Sequence, residues 1–276
     1  HDWFRPANLN LLRGALGADG KPLAWLQRTV GPELALGGVN VPYAIAHLRA
    51  ERTATDPGLP TGAWRSVGAS QNAFAVESFI DELAHAAGAD PFEYRRGLLT
   101  QAPRHRAVLE KAAEAAGWGG SLPDGWGRGI AVYHCYGSWV AQVAEVSVGG
   151  AGDIRVHRVV CAIDCGIAVD PAGVEAQMEG GVAMGLSAAA RERITVTGGR
   201  VNETDFRAYP LLRFSEMPAV EVHIMPSDQP PGGVGRSNFT WMRAFNQRRN
   251  GRRNRGVSSE NPSRSVSTPG VIRKAP

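Results

Sequence analysis

The spacing of apolar positions along this chain changes several times, and each change predicts a different kind of element. Over the first 55 residues, short apolar runs broken by polar residues predict strands and turns. The stretch "LGADGKPLAWLQRTVG" sets Asp19-Gly20 between two such runs and reads as a hairpin. "TDPGLPTGAWRSVGAS" reads as a loop, because Pro57, Gly58, Pro60 and Gly62 each interrupt a ladder or a helix. From Ser70, a candidate cap, the apolar residues Phe74, Phe79, Ile80, Leu83 and Ala87 follow helical spacing and predict one buried stripe ending at Gly88. Asp90-Pro91 opens a second helix over "PFEYRRGLL", and Pro103 opens a third that runs to Ala116 and is closed by Gly117.

From Gly129 the period becomes two. "WVAQVAEVSV" and "IRVHRVVCAI" read as paired strands joined by the "GGAGD" turn. "DPAGVEAQMEGGVAMGLSAAARE" reads as a helix capped by Asp170, with Pro171 at its first position and Gly180, Gly181 and Gly185 inside it for close packing. A hairpin at Gly198-Gly199 and a strand over "AVEVHIMP" complete the pattern. The expected fold is α+β, mixed helices packed on small sheets.

Charge divides the chain in two. Residues 236–276 hold nine Arg and one Lys against the single acid Glu260; taking these from the chain's 30 basic and 26 acidic residues leaves 20 and 25 in residues 1–235, a net of −5. The basic balance therefore belongs to the tail, and nucleic acid is not an expected partner of the body. The tail has no helical stripe and few apolar residues, a pattern of disorder. Expected boundaries are a domain over 1–235 and a basic tail over 236–276. The start at His1 reads as that of a fragment or a processed product, so any export signal would precede it and the compartment stays open. No run of 18 apolar residues predicts a spanning helix. Cys135, Cys161 and Cys165 are too few and wrongly spaced for an iron–sulfur cluster or a four-ligand zinc site, and read as reduced core thiols.

Two stretches carry candidate chemistry. "WRSVGASQ" places Arg65 and Gln71 around Gly68 at the mouth of a helix, where backbone N–H groups favour an anion or a polar oxygen. A glycine loop whose arginine pairs locally is the bland alternative. In "AIDCGIAVDPAGVEAQMEGG", Gln177 and Glu179 on a glycine-lined helix could be buried hydrogen-bond partners for a neighbouring loop. Glu77, Glu145 and Glu179 lie in regular elements and read as structural or exposed. His134, beside the Gly137-Ser138 turn, reads either as a polar group behind a cofactor or as a strand-end histidine.

In order, "HDWFRPA", "TGAWRSVGASQNAFAVESFIDELAHAAGADPFEYR", "PRHRAVLEKAAEAAGW", "GRGIAVYHCYGSWVAQVAEVSV", "CAIDCGIAVDPAGVEAQMEGGVAMGLS" and "YPLLRFSEMPAVEVHIMPSDQPPGGVG" resemble the molybdopterin-binding large subunit of the xanthine dehydrogenase and aldehyde oxidase family, especially the branch that holds the beta chains of isoquinoline 1-oxidoreductase. The likeness spans residues 1–235. It implies a molybdenum-dependent oxidoreductase that oxidises an aldehyde or hydroxylates an N-heterocycle with oxygen from water. The implied cofactor is molybdenum in molybdopterin cytosine dinucleotide. The implied partner is a small iron–sulfur subunit with two [2Fe-2S] clusters. Arg65, Gly68 and Gln71 match the family loop that lies against the cofactor; Ser66 within that loop, and Gly233 and Gly235 of "GGVG", are further implied contacts.

In the family a glutamate base follows "GGVG", whereas this chain has Arg236. A guanidinium cannot accept a proton at neutral pH, so no catalytic base is expected there and little turnover from this chain alone. The abrupt change after Gly235 points to a shifted reading frame, ahead of an arginine-rich segment for RNA or an anionic surface. A reading of another class is a non-catalytic remnant that binds a partner subunit or an anion.

Overall fold

The computed structural model of the chain describes residues 3–150 and 152–235, together with the backbone of 266–267 and 271–274. Arg236 and most of the basic tail, with the disorder expected of them, lie outside the described residues.

The hairpin around Asp19-Gly20 forms as expected. Strands β1 (Leu9–Leu16) and β2 (Pro22–Gly31) pair antiparallel, and Gly20 takes a left-handed φ of 77° in the turn. After the short helix α1 (Glu33–Leu36), strand β3 (His47–Ala54) adds in parallel to β2. The inner face of β1 and β2 packs on helix α2 (Ala69–Ala87), where Trp25 meets Phe79 edge-on with ring centroids 4.7 Å apart. Gly14 permits this approach, since a Cβ there would lie 2.9 Å from Leu83 Cδ2.

Helix α2 is closed by Gly88 in the left-handed conformation, as its sequence predicts. Its start and its burial differ from expectation. Gly68 is the N-cap residue; Ser70 lies within the helix, and its hydroxyl donates to the carbonyl of Val67 at 2.9 Å. In place of one apolar stripe, α2 is buried over most of its circumference, polar Gln71, Asn72, Glu77 and Asp81 included. Those polar groups find partners inside. The fully buried Glu77 carboxylate accepts from Tyr43 Oη at 2.6 Å, Arg95 Nε at 3.0 Å and the Val132 amide at 3.0 Å. Arg95 also donates to Asp81. A saturated network of this kind offsets the desolvation of its charges.

Helices α3 (Pro91–Leu98) and α4 (Pro103–Ala115) follow. Asp90 caps the first by accepting from the amides of Phe92 and Glu93. The second sheet contains β4 (Trp126–Cys135), β5 (Ser138–Val148) and β6 (Ile154–Asp164), an antiparallel meander. Helix α5 (Pro171–Ala190) comes next, with Asp170 accepting from the Gly173 amide at 3.1 Å. The hairpin of β7 (Val196–Thr197) and β8 (Arg200–Val201) turns at Gly198-Gly199. Strand β9 (Ala219–Ile224) then joins β6 in parallel. Helices α2 to α4 cover one face of this sheet through Ile130, Val132, Ala141, Val143, Val160 and Ala162. Helix α5 covers the other, where Val174, Met178, Val182 and Leu186 pack with Val140, Cys161 and Ile163. Burial on both faces explains why β5 and β6 are apolar almost without alternation.

The short strands β10 (Val266–Ser267) and β11 (Val271–Lys274) run parallel to β1 at the edge of the first sheet. Sequence pattern assigns no strand there. Among the described residues, no helix is long and apolar enough to cross a membrane.

Candidate functional site

The loop "WRSVGASQ" enters α2 through two consecutive non-glycine residues with left-handed backbone, Ser66 at φ 72° and Val67 at φ 50°. Such φ values are costly for a β-branched residue and persist only where surrounding structure enforces them. The enforcement is visible. Gly68 abuts the loop at Gly37 and Gly38: a Cβ on Gly68 would overlap the Gly37 carbonyl oxygen, and one on Gly38 would lie 2.8 Å from Ala69 Cα. Asn72 Nδ2 donates to the carbonyls of Ala35 and Gly37 at 3.1 and 2.7 Å. From the other side, Phe4 brackets the loop by bonds with Pro60 and Gly62, and the Arg5 guanidinium lies 4.1 Å from the Trp64 ring centroid.

A second glycine segment meets this loop. Residues 229–235 thread past the ends of β6 and of the β4–β5 hairpin. The Gln229 carbonyl accepts from the Ile167 amide, the Gly232 amide donates to Cys165 and the Gly233 amide donates to Tyr136, at 2.7–2.9 Å. Glycine is required twice here: Cβ atoms at Gly166 and Gly232 would overlap the carbonyl oxygens of Pro230 and Gly137 respectively.

Arg65 joins the two segments. Its Nε donates to the Gly235 carbonyl at 2.7 Å, and its Nη2 donates to the Gln177 backbone carbonyl at 2.9 Å and to Gln177 Oε1 at 3.0 Å. Its Nη1 lies 3.5 Å from Met184 Sδ. Arg65 and Gly235, 170 residues apart, are thereby in contact; Ser66 and Gly68 lie on the loop of the first and Gly233 on the segment of the second. Gln177 accepts from the Arg65 loop, but from an exposed position on α5 and not the buried one expected of it. Partial burial lowers the Arg65 pKa from its ordinary value. Gln71 is directed elsewhere: it is 4% exposed, its Nε2 donates to the Pro6 carbonyl at 2.8 Å, and its Oε1, 2.7 Å from the Ser70 hydroxyl, shares that single proton with the Val67 carbonyl. Glu179 is exposed on α5. Glu145 is paired with Arg128 at 2.8 Å.

Sequence reasoning does not single out Gly37, Gly38, Gly137 or Gly166 for this site. The paired glycines in "LGGVN" and the positive φ that "YGS" and "CGI" require are the available signals. Ser138 is legible only as part of a turn. Its hydroxyl is fully buried, without a hydrogen-bond partner among the described residues, beside Gly232.

Behind the glycine segment lies a polar stack. Arg104 pairs with Asp164 through two bonds of 2.5 Å and covers the Trp139 ring at 3.5 Å. His134 stacks against Trp139, centroids 4.1 Å apart, and Trp139 Nε1 donates to His105 Nδ1 at 3.1 Å. Burial, with His134 and Arg104 nearby, pushes the His105 pKa down to about 4. The three cysteines are free thiols, and burial pushes Cys161 up to about 12. No group of three His, Cys, Asp or Glu side chains able to hold a metal ion occurs among the described residues.

Residues 34–218 match the family of molybdopterin cofactor-binding domains. The chain is 37% identical over 174 residues to the beta chain of isoquinoline 1-oxidoreductase from Brevundimonas diminuta, covering 62% of this chain and 22% of that protein. It is 36% identical over 215 residues to a nicotinate dehydrogenase subunit of Pseudomonas putida, covering 71% of this chain and 18% of that protein. The chain thus spans about a fifth of the length of these curated relatives. In fold it is similar to quinoline 2-oxidoreductase from Pseudomonas putida 86, with a TM-score of 0.70 at 13% identity, over 82% of this chain and 56% of that one.

Proposed function

Because the chain belongs to the molybdopterin cofactor-binding domain family, we propose that residues 1–235 form part of the large subunit of a molybdenum hydroxylase, an oxidoreductase acting on an aldehyde or an N-heterocycle of the isoquinoline type. The observation that carries this reading is the Arg65 junction, where the loop before α2, the glycine segment at 232–235 and α5 converge. The junction suits a polar, anion-bearing group. It combines backbone close to the N-terminal end of α2, glycines that let backbones approach, and a buried Ser138 hydroxyl with no partner among the described residues. Ser66, Gly68, Gly233 and Gly235 would hold the pterin cofactor at this junction, with Arg65 bracing the glycine segment beside it and Gln71 fixing the loop from behind. Molybdopterin cytosine dinucleotide is the form proposed, and when bound it supplies the two-electron redox chemistry. The electrons would leave through a partner subunit that carries [2Fe-2S] clusters.

This chain's own part is to bind and orient. Position 236, where the proton acceptor belongs, holds Arg236, so we read the chain as inactive alone. The deciding experiment measures molybdenum by plasma mass spectrometry, with cytosine nucleotide released by hydrolysis, on the chain made in a host that synthesises molybdopterin. A second sample carries Arg236→Glu and a proline- and alanine-rich end. Metal in both with dye-linked oxidation of an aldehyde or isoquinoline only in the second supports the reading. Metal in neither removes it and leaves a non-catalytic remnant, the reading that Arg236 itself favours.

A further inference from the structure

We infer that Arg65 is a positioning residue, a brace that holds the carbonyl of Gly235 against α5 and so sets the direction in which the chain enters position 236. The inference rests on the reading of this junction as the cofactor site.

A guanidinium that recognises an anion uses two N–H groups along one edge. In Arg65 the edge formed by Nε and Nη2 already faces protein: Nε donates to Gly235 O, and Nη2 to both oxygens of Gln177. Nη1 faces the Met184 sulfur. An anion on that edge would have to displace acceptors from two separate elements. The lever is the peptide group itself. The carbonyl of residue 235 is coplanar with the amide of the next residue, so holding that oxygen holds the peptide plane leading into position 236. The base of the brace is rigid, because Gly68 is wedged against Gly37 and Asn72 ties the same loop. The far end is rigid as well, because Gln177 lies in α5, whose Met178 and Val182 are fully buried in the second core. The soft element at the junction is the glycine segment, and it is the one Arg65 grips at its last described carbonyl.

The test compares amide hydrogen exchange, read by mass spectrometry, in the full chain and in Arg65→Ala, Arg65→Lys and Gln177→Ala, alongside molybdenum content after production in a molybdopterin-competent host. Loss of the charge-assisted bonds in Arg65→Ala raises exchange of peptides covering 229–235 by about tenfold and leaves β5 and β6 unchanged. Adding Gln177→Ala to Arg65→Ala produces no further rise, since both act through one brace. The lysine variant shows an intermediate rise, because one ammonium cannot span Gly235 and Gln177 together. Unaltered exchange at 229–235 in Arg65→Lys overturns the inference, and this variant decides it even where Arg65→Ala does not fold; Gln177→Ala alone, which keeps the backbone carbonyl that Nη2 reaches, gives a rise smaller than that of Arg65→Ala. Unaltered exchange with about a tenfold loss of molybdenum in Arg65→Ala also overturns it, in favour of direct contact with an anion. The exchange arm needs no cofactor, so absence of metal from the unsubstituted chain counts against the proposed function and leaves the brace measurable.

Discussion

Both carboxylate oxygens of Asp164 are held by Arg104, Oδ2 by Nε and Oδ1 by Nη2, at 2.5 Å each. Asp164 Oδ1 also accepts from the Gly166 amide at 3.1 Å, which ties the end of β6 to the turn that receives Pro230. Burial opposes the charge on Asp164, but the bonds from Arg104 and Gly166 outweigh it and hold the carboxyl below its ordinary pKa. Asp164→Asn removes the charge and one of the two strong bonds while leaving Arg104 part-buried. We expect a loss of about 2 kcal/mol in a urea titration, with a lower midpoint and an unchanged slope.

Gly232 faces the Gly137 carbonyl with no room for a methyl group. Gly232→Ala must therefore shift the glycine segment or the β4–β5 turn, both backbone, and neither can yield as a side chain would. The expected cost is about 3 kcal/mol. Molybdenum loading should fall with it while far-ultraviolet circular dichroism stays that of the parent. Retained loading at parental stability would sink the assignment of tight packing at this crossing.

Signals in the sequence are legible where the physics is local. Asp90 and Asp170 cap their helices because a side chain two or three residues from an amide needs no tertiary information. The Asp19-Gly20 hairpin is of the same kind. Helix α2 reads as amphipathic but is not, because its polar residues mark a buried network: Glu77 and Asp81 meet Arg95 from another helix, and nothing in a single stretch shows that pairing. Ser70 looks like a cap because the left-handed turn at Ser66 and Val67, which hands that role to Gly68, leaves no trace in residue type. At the site Gly68, Gly233, Gly235 and Arg65 are legible as a set through resemblance, and Gly37, Gly38, Gly137 and Gly166 are not. That Arg65 grips Gly235 is not, since the contact closes a loop of 170 residues.

Glu77 should be structural. Glu77→Gln keeps the volume but withdraws the charge that answers Arg95, and one amide oxygen cannot accept from Tyr43, Arg95 and Val132 at once. Breaking a fully buried pair in this way costs about 3 to 5 kcal/mol. Thermal unfolding should show a corresponding drop. An unchanged melting temperature would mean that the carboxylate is not needed to hold Arg95 in the core.

Ser138 offers a test with the opposite sign. Its buried hydroxyl lacks a partner among the described residues, so Ser138→Ala removes a desolvated polar group and should be neutral or stabilising by about 1 kcal/mol in the cofactor-free chain. In cofactor-loaded protein the same substitution should reduce molybdenum retention on dialysis if the hydroxyl meets the bound group. Equal retention would assign Ser138 to packing alone.

His105 gives the chain a pH dependence whose direction can be worked out. Its Nδ1 accepts from Trp139 Nε1, which places the ring proton of the neutral form on Nε2, a buried atom without a partner among the described residues. Protonation of Nδ1 would break the Trp139 bond and put a cation beside Arg104, with His134 facing the ring and Asp164 held by Arg104. The folded pKa is therefore pushed from 6.5 down to about 4 by burial first, then by His134 and Arg104. Because the unfolded chain binds this proton more readily, the stabilising contribution is complete above pH 6.5 and is lost as pH falls toward 4. A shift of this size corresponds to about 3 kcal/mol. His105→Asn keeps an acceptor for Trp139 and cannot titrate, so urea midpoints measured from about pH 7 to about pH 4 should fall more shallowly in the variant than in the parent. Parallel slopes would mean that the folded and unfolded chains bind this proton equally well, and that burial beside Arg104 does not depress His105.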